Sequence, residues 1–476
     1  MSENVGNKNV FIVSAGRSFS ILDNLRRDPS TVIAGVLVYE PWDYPEWSGV
    51  NTGLTTWGWE QIAEKRLVAD GIPLDIYEVA LAAILSDERV FYLFERHYGV
   101  NWNVSTFNRT SMLEVLVWNA LVLLEASQPE IIFFAGIPHN PVSWIFGRVA
   151  EVWGATALML SHSPFFHRKW LVCGLDAQLP VAVQPNYADG GSDVAWEAIR
   201  SNRRPYSQAI PSYSREALNR AWRWRREVKY LLLTRPSNIV TKFKQAWNKW
   251  RLYRRYCALS VPVNFRQPYY VFFLHYQPEA TTLPCGLAFA QQWLAISRLR
   301  MALPAHVQLV VKDHPGMFLR GMLRPSVRDC YFYDAIAGLP NTVLVDINQD
   351  SFDLMDHAEA VVTITGTAGF QALCRGKHVI VFGLAPYRHF PTVHQVFSVG
   401  DIRDAIAAVA EQSPRCDDDL LDRYSAWVEG LSFGIPGAGE EEWIAKAKDY
   451  DETCLKQSLS QLISNQWSFD CPEFRW

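Results

Sequence analysis

The chain has no C-x-x-C pair among its 8 cysteines (Cys173, Cys257, Cys285, Cys330, Cys374, Cys416, Cys454 and Cys471), and no histidine stands beside one at zinc spacing. That spacing argues against a zinc ribbon or a dithiol redox motif, and a reduced protein without a structural metal is expected. Long apolar runs are also missing. The longest, 113–134, is interrupted by Glu114, Asn119, Glu125 and Gln128-Pro-Glu130, so it reads as a helix followed by a strand and not as a membrane span. Met1 to Asn9 is polar, and the apolar stretch 10–13 is far shorter than a signal-peptide core, so a cytoplasmic location is expected. Neither a Walker loop nor G-x-G-x-x-G occurs, which argues against a P-loop ATPase and a dehydrogenase. Internal repeats and low-complexity tracts are absent as well; the net charge of -4 is uninformative by itself, and no nucleic-acid partner is expected.

What the chain does have is size, aromatic content and uneven charge. Its 476 residues exceed one ordinary core, so two domains of ~200 residues are expected. Strand-like runs at 10–13, 31–39, 130–135 and 155–160, with an amphipathic helix over 144–153 between the last two, describe a βαβ unit. We therefore read 1–204 as a parallel-sheet domain. Between Arg215 and Arg255 there are thirteen Lys or Arg against two Glu, interleaved with Trp222, Trp224, Trp247, Trp250 and Tyr253. The segment 205–260 then reads as a basic, Trp-rich helical linker. It is either a solvated connector or a surface that docks on an anionic membrane face. A second α/β domain follows over 261–400, and the remaining 401–476 is an acidic helical tail expected to pack back on the domains. Two α/β domains facing each other across a cleft is the predicted architecture.

In 261–400 strand-like runs at 269–274, 307–311, 342–345, 360–364 and 378–382 end in polar clusters. Ligands of doubly wound sheets sit outside the carboxyl ends of the strands, so these clusters should converge. Thr365-Gly366-Thr367-Ala368-Gly369 follows a strand and precedes a helix expected over 370–375, placing backbone N–H groups and two hydroxyls where a phosphate is favoured, although a glycine turn needed only for steric reasons has the same pattern. In Lys312-Asp-His314-Pro315 the proline restricts the chain so that His314 can project into the crevice as a hydrogen-bond or proton donor, or can simply be satisfied within the turn. Glu279, in Gln277-Pro-Glu279, can act as a base, a nucleophile or a hydrogen-bond partner of a sugar hydroxyl, or can cap the helix that begins near Thr281 or Thr282.

Together, His275-Tyr-Gln-Pro-Glu279-Ala-Thr-Thr282, Lys312-Asp-His314-Pro315, Thr365-Gly-Thr-Ala-Gly369 and Gly376-Lys-His-Val-Ile-Val-Phe-Gly383, with Tyr387 shortly after, resemble the bacterial capsule polysaccharide biosynthesis family. That family includes Kdo transferases and is more loosely related to bacterial sialyltransferases. The resemblance covers about 269–387 well and 131–168 more weakly. It implies a GT-B-like glycosyltransferase with two Rossmann-like domains: the nucleotide sugar on the C-terminal one, the acceptor on the N-terminal one, no metal and no cofactor. Carried over, His314 contacts the donor phosphate, with Thr365 and Thr367 in the place of a Ser/Thr pair. Glu279 and His314 are then the catalytic candidates, and Gln277, Lys312, 365–369 and Tyr387 the donor-binding ones. Lys312 or Arg388 can add positive charge for the departing nucleotide. Asp43, His139, His162 and Arg168 are acceptor-side candidates at N-terminal strand ends, and Glu46 is a second carboxylate beside Asp43. This chain has Thr-Gly-Thr where sialyltransferases carry adjacent serines, and no Asp-Asp-Gly or Glu-Asp-Gly precedes the His-Pro pair.

The expected function is metal-independent transfer of a sugar, with a Kdo-like residue from its CMP form as one candidate, to a glycan or lipid-linked acceptor of a surface polysaccharide. The expected location is cytoplasmic and peripheral on the anionic inner membrane. A sugar-nucleotide epimerase and a non-catalytic assembly or export factor are the alternatives.

Overall fold

Short all-buried strands such as Ile131–Phe134, Tyr269–Phe273 and His378–Val381 are the building blocks of both halves. Strands apolar on both faces belong in parallel sheets covered by helices on each side. The computed structural model describes residues 8–14, 31–38, 56–58, 66–98, 106–165, 168–181, 199, 203, 239–277, 282–318, 328–411 and 418–434. The chain divides into two units: Met1–His97, Asn103–Gly191 and Ser425–Trp476 form one, and Tyr98–Trp102 with Ser192–Tyr424 the other.

In the first unit the described elements are β1 (Lys8–Ser14), β2 (Thr31–Val38), β3 (Thr56–Gly58), α1 (Leu74–Ser86), α2 (Glu88–Tyr98), α3 (Thr106–Ser127), β4 (Ile131–Phe134), α4 (Pro141–Trp153), β5 (Thr156–His162), β6 (Arg168–Cys173) and β7 (Leu179–Pro180). Strands β3, β2, β1, β4 and β5 lie side by side in that order, each pair parallel. Strand β6 then turns back antiparallel on β5. Among the described residues α3 is the helix long and apolar enough to cross a membrane. It instead buries Leu113, Val117, Leu121 and Leu124 and packs against α4. Helix α4 starts at Pro141, three residues before the apolar periodicity that marked it. Asn140 caps it by accepting from the Ser143 N–H at 2.8 Å, proline fits the first helical position, and Gly154 at φ 102° closes it.

The second unit continues with α5 (Ile239–Leu259), β8 (Tyr269–Phe273), α6 (Gln292–Ala302), β9 (Gln308–Lys312), α7 (Cys330–Ala337), β10 (Thr342–Leu344), α8 (Ser351–His357), β11 (Ala360–Thr363), α9 (Thr367–Cys374), β12 (His378–Val381), β13 (Val393–Gln395), α10 (Val399–Glu411) and the start of α11 (Asp418–Leu431), whose residues from Ser425 on count with the first unit. Its six strands are all parallel, in the order β10-β9-β8-β11-β12-β13. Counted along the chain this is the 3-2-1-4-5-6 order of the Rossmann fold, and the first unit repeats its 3-2-1-4-5 portion. Both halves are therefore Rossmann-like, as the resemblance implied.

The two segments outside the predicted sheets are placed as follows. Residues 215–238 of the basic stretch lie outside the described residues. Its later part, α5, is built into the second unit: Leu252 and Tyr256, one turn apart, are buried and the helix packs on α7. Burial of each side chain stabilises by roughly 2 kcal/mol. The acidic tail begins with α10 and α11, after which β14 (Ser432–Gly434) joins the first unit antiparallel to β6.

Candidate functional site

In the second sheet the chain runs outward through β8, β9 and β10, then returns to add β11 on the other side of β8. The carboxyl ends of β8 and β11 flank the point where the strand order reverses, which is where such sheets bind ligands. The polar clusters predicted from sequence lie at this edge.

His275 joins the two strands there. It is buried, and its Nε2 accepts from the Thr365 backbone N–H at 3.0 Å and lies 3.1 Å from Thr363 Oγ1. Accepting a backbone N–H leaves the proton of the neutral ring on Nδ1. Gln292 of α6 clamps its backbone, accepting from His275 N–H at 2.8 Å and donating to its carbonyl at 3.3 Å. His275 was recognised as part of a cluster but not as a site residue.

The loop after β11 is packed tightly. A Cβ at Gly366 would sit 2.7 Å from Thr363 Oγ1 and 3.1 Å from the His275 ring, so only glycine allows this approach. Gly366 is the N-cap and α9 starts at Thr367, three residues earlier than expected, because the loop needs no further turn after Gly366. Thr367 is thus the exposed first helical residue. The Thr365 N–H is taken by His275, so the N–H groups open to an anion by helix geometry are those of Gly366, Thr367 and Ala368. Thr365 is buried, and among the described residues its Oγ1 has no hydrogen-bond partner. Tyr387 supports the loop from behind: it is buried, its hydroxyl donates to the Gly366 carbonyl, and a side chain at Gly369 would overlap it. Burial holds its phenol well above the ordinary range.

His314 is exposed just beyond β9. Its Nδ1 accepts from the Gly316 N–H at 3.0 Å, which places the proton of the neutral ring on Nε2 and makes that atom the donor. A side chain on Gly316 would approach Nδ1 to 2.7 Å. The Tyr276 ring, in the loop after β8, stands 6.1 Å from the His314 ring. Since β9 and β11 both border β8, the His314 and 365–369 loops leave the sheet two strands apart, ~10 Å by strand spacing.

Other candidates fall at varying distances from this point. Gln277 is half-buried; its N–H meets Met317 Sδ at 3.2 Å, and among the described residues its buried Nε2 has no partner. Lys312 is buried and donates to Ser351 Oγ at 2.6 Å, on the β10 side of β9 and away from β11. Burial pushes its ammonium down to about 8 against the pull of Asp350 and Asp346. Arg388 is buried and donates to the Ala385 carbonyl at 3.2 Å, with burial bringing it down to about 10. Glu279 lies outside the described residues.

In the first unit the switch point lies between β1 and β4. His139 follows β4 and its Nδ1 donates to the Ile137 carbonyl at 3.0 Å; burial and, less so, the charge of Arg96 lower its pKa. His162 is exposed at the end of β5. Arg168 opens β6, with its side chain outside the description, and Asp43 and Glu46 are outside the described residues altogether. Among the described residues no group of three or more His, Cys, Asp or Glu side chains could hold a metal ion.

Sequence reasoning missed the polar groups beneath the site. Asp313 is buried between Arg328 and Tyr333, both of which donate to its Oδ2, and its Oδ1 accepts from the His314 N–H at 2.6 Å. The acidic residue inside Lys312-Asp-His314-Pro315 was the one available signal. Its partners are 15 and 20 residues away in sequence.

Residues 289–391 match the family described as capsule polysaccharide biosynthesis protein. The matched stretch contains His314, Arg328, the 365–369 loop and Tyr387, and starts after His275 and Glu279. No curated protein matches the chain. Among solved structures, the beta Kdo 2,7 transferase KpsC of Thermosulfurimonas dismutans is 13% identical, with 73% of this chain and 90% of that one covered at a TM-score of 0.30. The UDP-GlcNAc 2-epimerase of Methanocaldococcus jannaschii is 9% identical, covering 88% and 97% at 0.28. That of Neisseria meningitidis, bound to UDP-GlcNAc, is 12% identical, covering 89% and 99% at 0.25. At such scores the fold assignment rests on the strand order itself.

Proposed function

We propose that this chain, which over residues 289–391 matches the family of capsule polysaccharide biosynthesis proteins, is a metal-independent glycosyltransferase using a nucleotide sugar. The observation that carries the reading is the site at the β8/β11 switch point: a helix N-terminus, the buried Thr365 Oγ1, unpartnered among the described residues, and a histidine whose Nε2 is the donor. Each suits a phosphate, and together they supply the positive field that a departing nucleotide needs.

In this reading the donor phosphate lies between His314 and the 365–369 loop. The acceptor oxygen replaces it at the anomeric carbon, and Glu279 takes the acceptor proton. The phosphate leaves with its charge met by His314 Nε2–H and the first N–H groups of α9. Gln277 Nε2 is a further donor for sugar or phosphate oxygens. His139 and His162, at the carboxyl ends of β4 and β5, are the described acceptor-side candidates. A CMP-activated Kdo-like sugar is the donor we favour, and a growing glycan or its lipid-linked precursor the acceptor.

A peripheral position on the anionic inner membrane is the second element of the proposal. On α5 the exposed Trp247 and Trp250 rings pack 5.0 Å apart beside exposed Arg251 and Arg254. Arginine with interfacial tryptophan is the chemistry of headgroup contact. Incubation with CMP- and UDP-sugars tests the whole reading. Nucleotide release that depends on an acceptor glycan is the expected result. Epimer formation without net release would assign an epimerase, and no turnover with tight glycan binding would assign an assembly factor.

A further inference from the structure

The most deeply enclosed ion pair among the described residues joins Arg328 to Asp313, with side chains 2% and 0% exposed. Arg328 faces two loops at once. One guanidinium nitrogen donates to Asp313 Oδ2 in the loop after β9, and the other donates to the His275 carbonyl, in the loop after β8, at 2.7 Å. Tyr333 of α7 donates to the same Asp313 oxygen, and Tyr256 of α5 accepts from the Asp313 N–H at 3.2 Å while donating to the Val345 carbonyl. Asp313 in turn accepts the His314 N–H. The side chain at 328 therefore sets both the spacing of the β8 and β9 loops and the direction in which His314 leaves the backbone.

Stability alone does not account for such a pair. Removing two charges from water costs several kcal/mol each, and apolar residues of similar volume commonly replace a buried pair with no loss of stability. What an apolar pair cannot reproduce is two directed hydrogen bonds at a fixed angle to a carboxylate and a carbonyl on neighbouring loops.

We propose that Arg328 is a positioning residue for the phosphate site, acting through Asp313 and the His275 carbonyl to hold His314 in its donor orientation. The inference rests on the phosphate reading given above. It predicts that the arrangement, not the folded state, is lost when the pair becomes apolar.

The test is the Arg328→Met/Asp313→Leu double variant of the full chain, compared with wild type and Arg328→Lys by melting temperature, turnover of a nucleotide sugar and 15N spectra of labelled histidine. His314→Gln identifies the His314 resonance by its disappearance. Wild type should show His314 Nδ1 as an unprotonated acceptor. The double variant should melt close to wild type, lose that signature and turn over about 30-fold or more slower. Lysine keeps the charge but not the two-pronged geometry, so Arg328→Lys should fold and also lose the signature. A folded double variant, or a folded Arg328→Lys should the double variant not fold, that keeps the wild-type His314 spectrum would overturn the proposal. If wild type turns over no nucleotide sugar, the transferase reading fails while the spectra still decide the positioning role.

Discussion

The two sheets share the strand order 3-2-1-4-5, yet their carboxyl ends are built differently. In the second unit the loops after β8, β9 and β11 are tied to one another by His275, Asp313 and Arg328, with glycines where the chain passes closest. In the first unit the loop after β4 has His139 bonded to Ile137 two residues away, and Gly136 has nothing within 4 Å of the position a Cβ would take. Among the described residues, the same topology thus carries strand-end loops tied across the sheet in one unit and, in the other, a loop after β4 whose His139 bonds two residues back.

The sharpest way to break the comparison is to remove one histidine from each edge. His314→Ala should lower transfer by about 100-fold or more with little change in melting temperature, since an exposed side chain carries little packing and loss of a single transition-state donor costs on that scale. His139→Ala should cost turnover much less. Equal losses in steady-state kinetics would mean that the phosphate grip is not confined to the second unit.

The equivalent glycines give the next contrast. Gly366→Ala forces a Cβ against Thr363 and His275 and should destabilise by roughly 1–3 kcal/mol while weakening nucleotide binding. Gly136→Ala meets open space and should be near neutral. Thermal melts with and without nucleotide read both. A harmless Gly366→Ala would show that the loop after β11 is not held as described.

Glu279→Gln separates chemistry from capping. A catalytic carboxylate predicts about 100-fold slower turnover at nearly constant stability, and a helix cap predicts a loss of ~1 kcal/mol with turnover retained. A destabilised but fully active variant would leave the acceptor proton to another group.

A last expected effect is a pH dependence. Lys312 has a native pKa of about 8, lowered by burial from 10.5. Between those values the unfolded chain holds a proton that the folded one has released, so stability rises with pH across that window and is flat in this term on either side. The gain is at most about 3 kcal/mol. Denaturant titrations of wild type and Lys312→Met between pH 7 and 10 should differ by this slope, and parallel curves would remove the buried charge from the account.

Much of the second unit was legible because its strands are continuous apolar runs bounded by polar clusters. Each of the five predicted strands agrees with the observed one within a residue at either end. Strand β6, with a charged start at Arg168-Lys169, gave no such signal, and β14 finds its place only through pairing with β6. Helix starts were read late at Pro141 and Thr367 because caps at Asn140 and Gly366, not apolar periodicity, determine where those helices begin. The 365–369 loop and His314 were visible as motifs. Arg328, Tyr333 and Tyr256 were not, since each is an ordinary helical or loop residue until the fold brings it to Asp313.

A structure with a CMP- or UDP-sugar bound tests the central claim most directly. The account predicts the nucleotide phosphate within hydrogen-bond distance of His314 Nε2 and of the first N–H groups of α9, at the β8/β11 edge. A nucleotide seated instead at the β1/β4 edge of the first unit would contradict it.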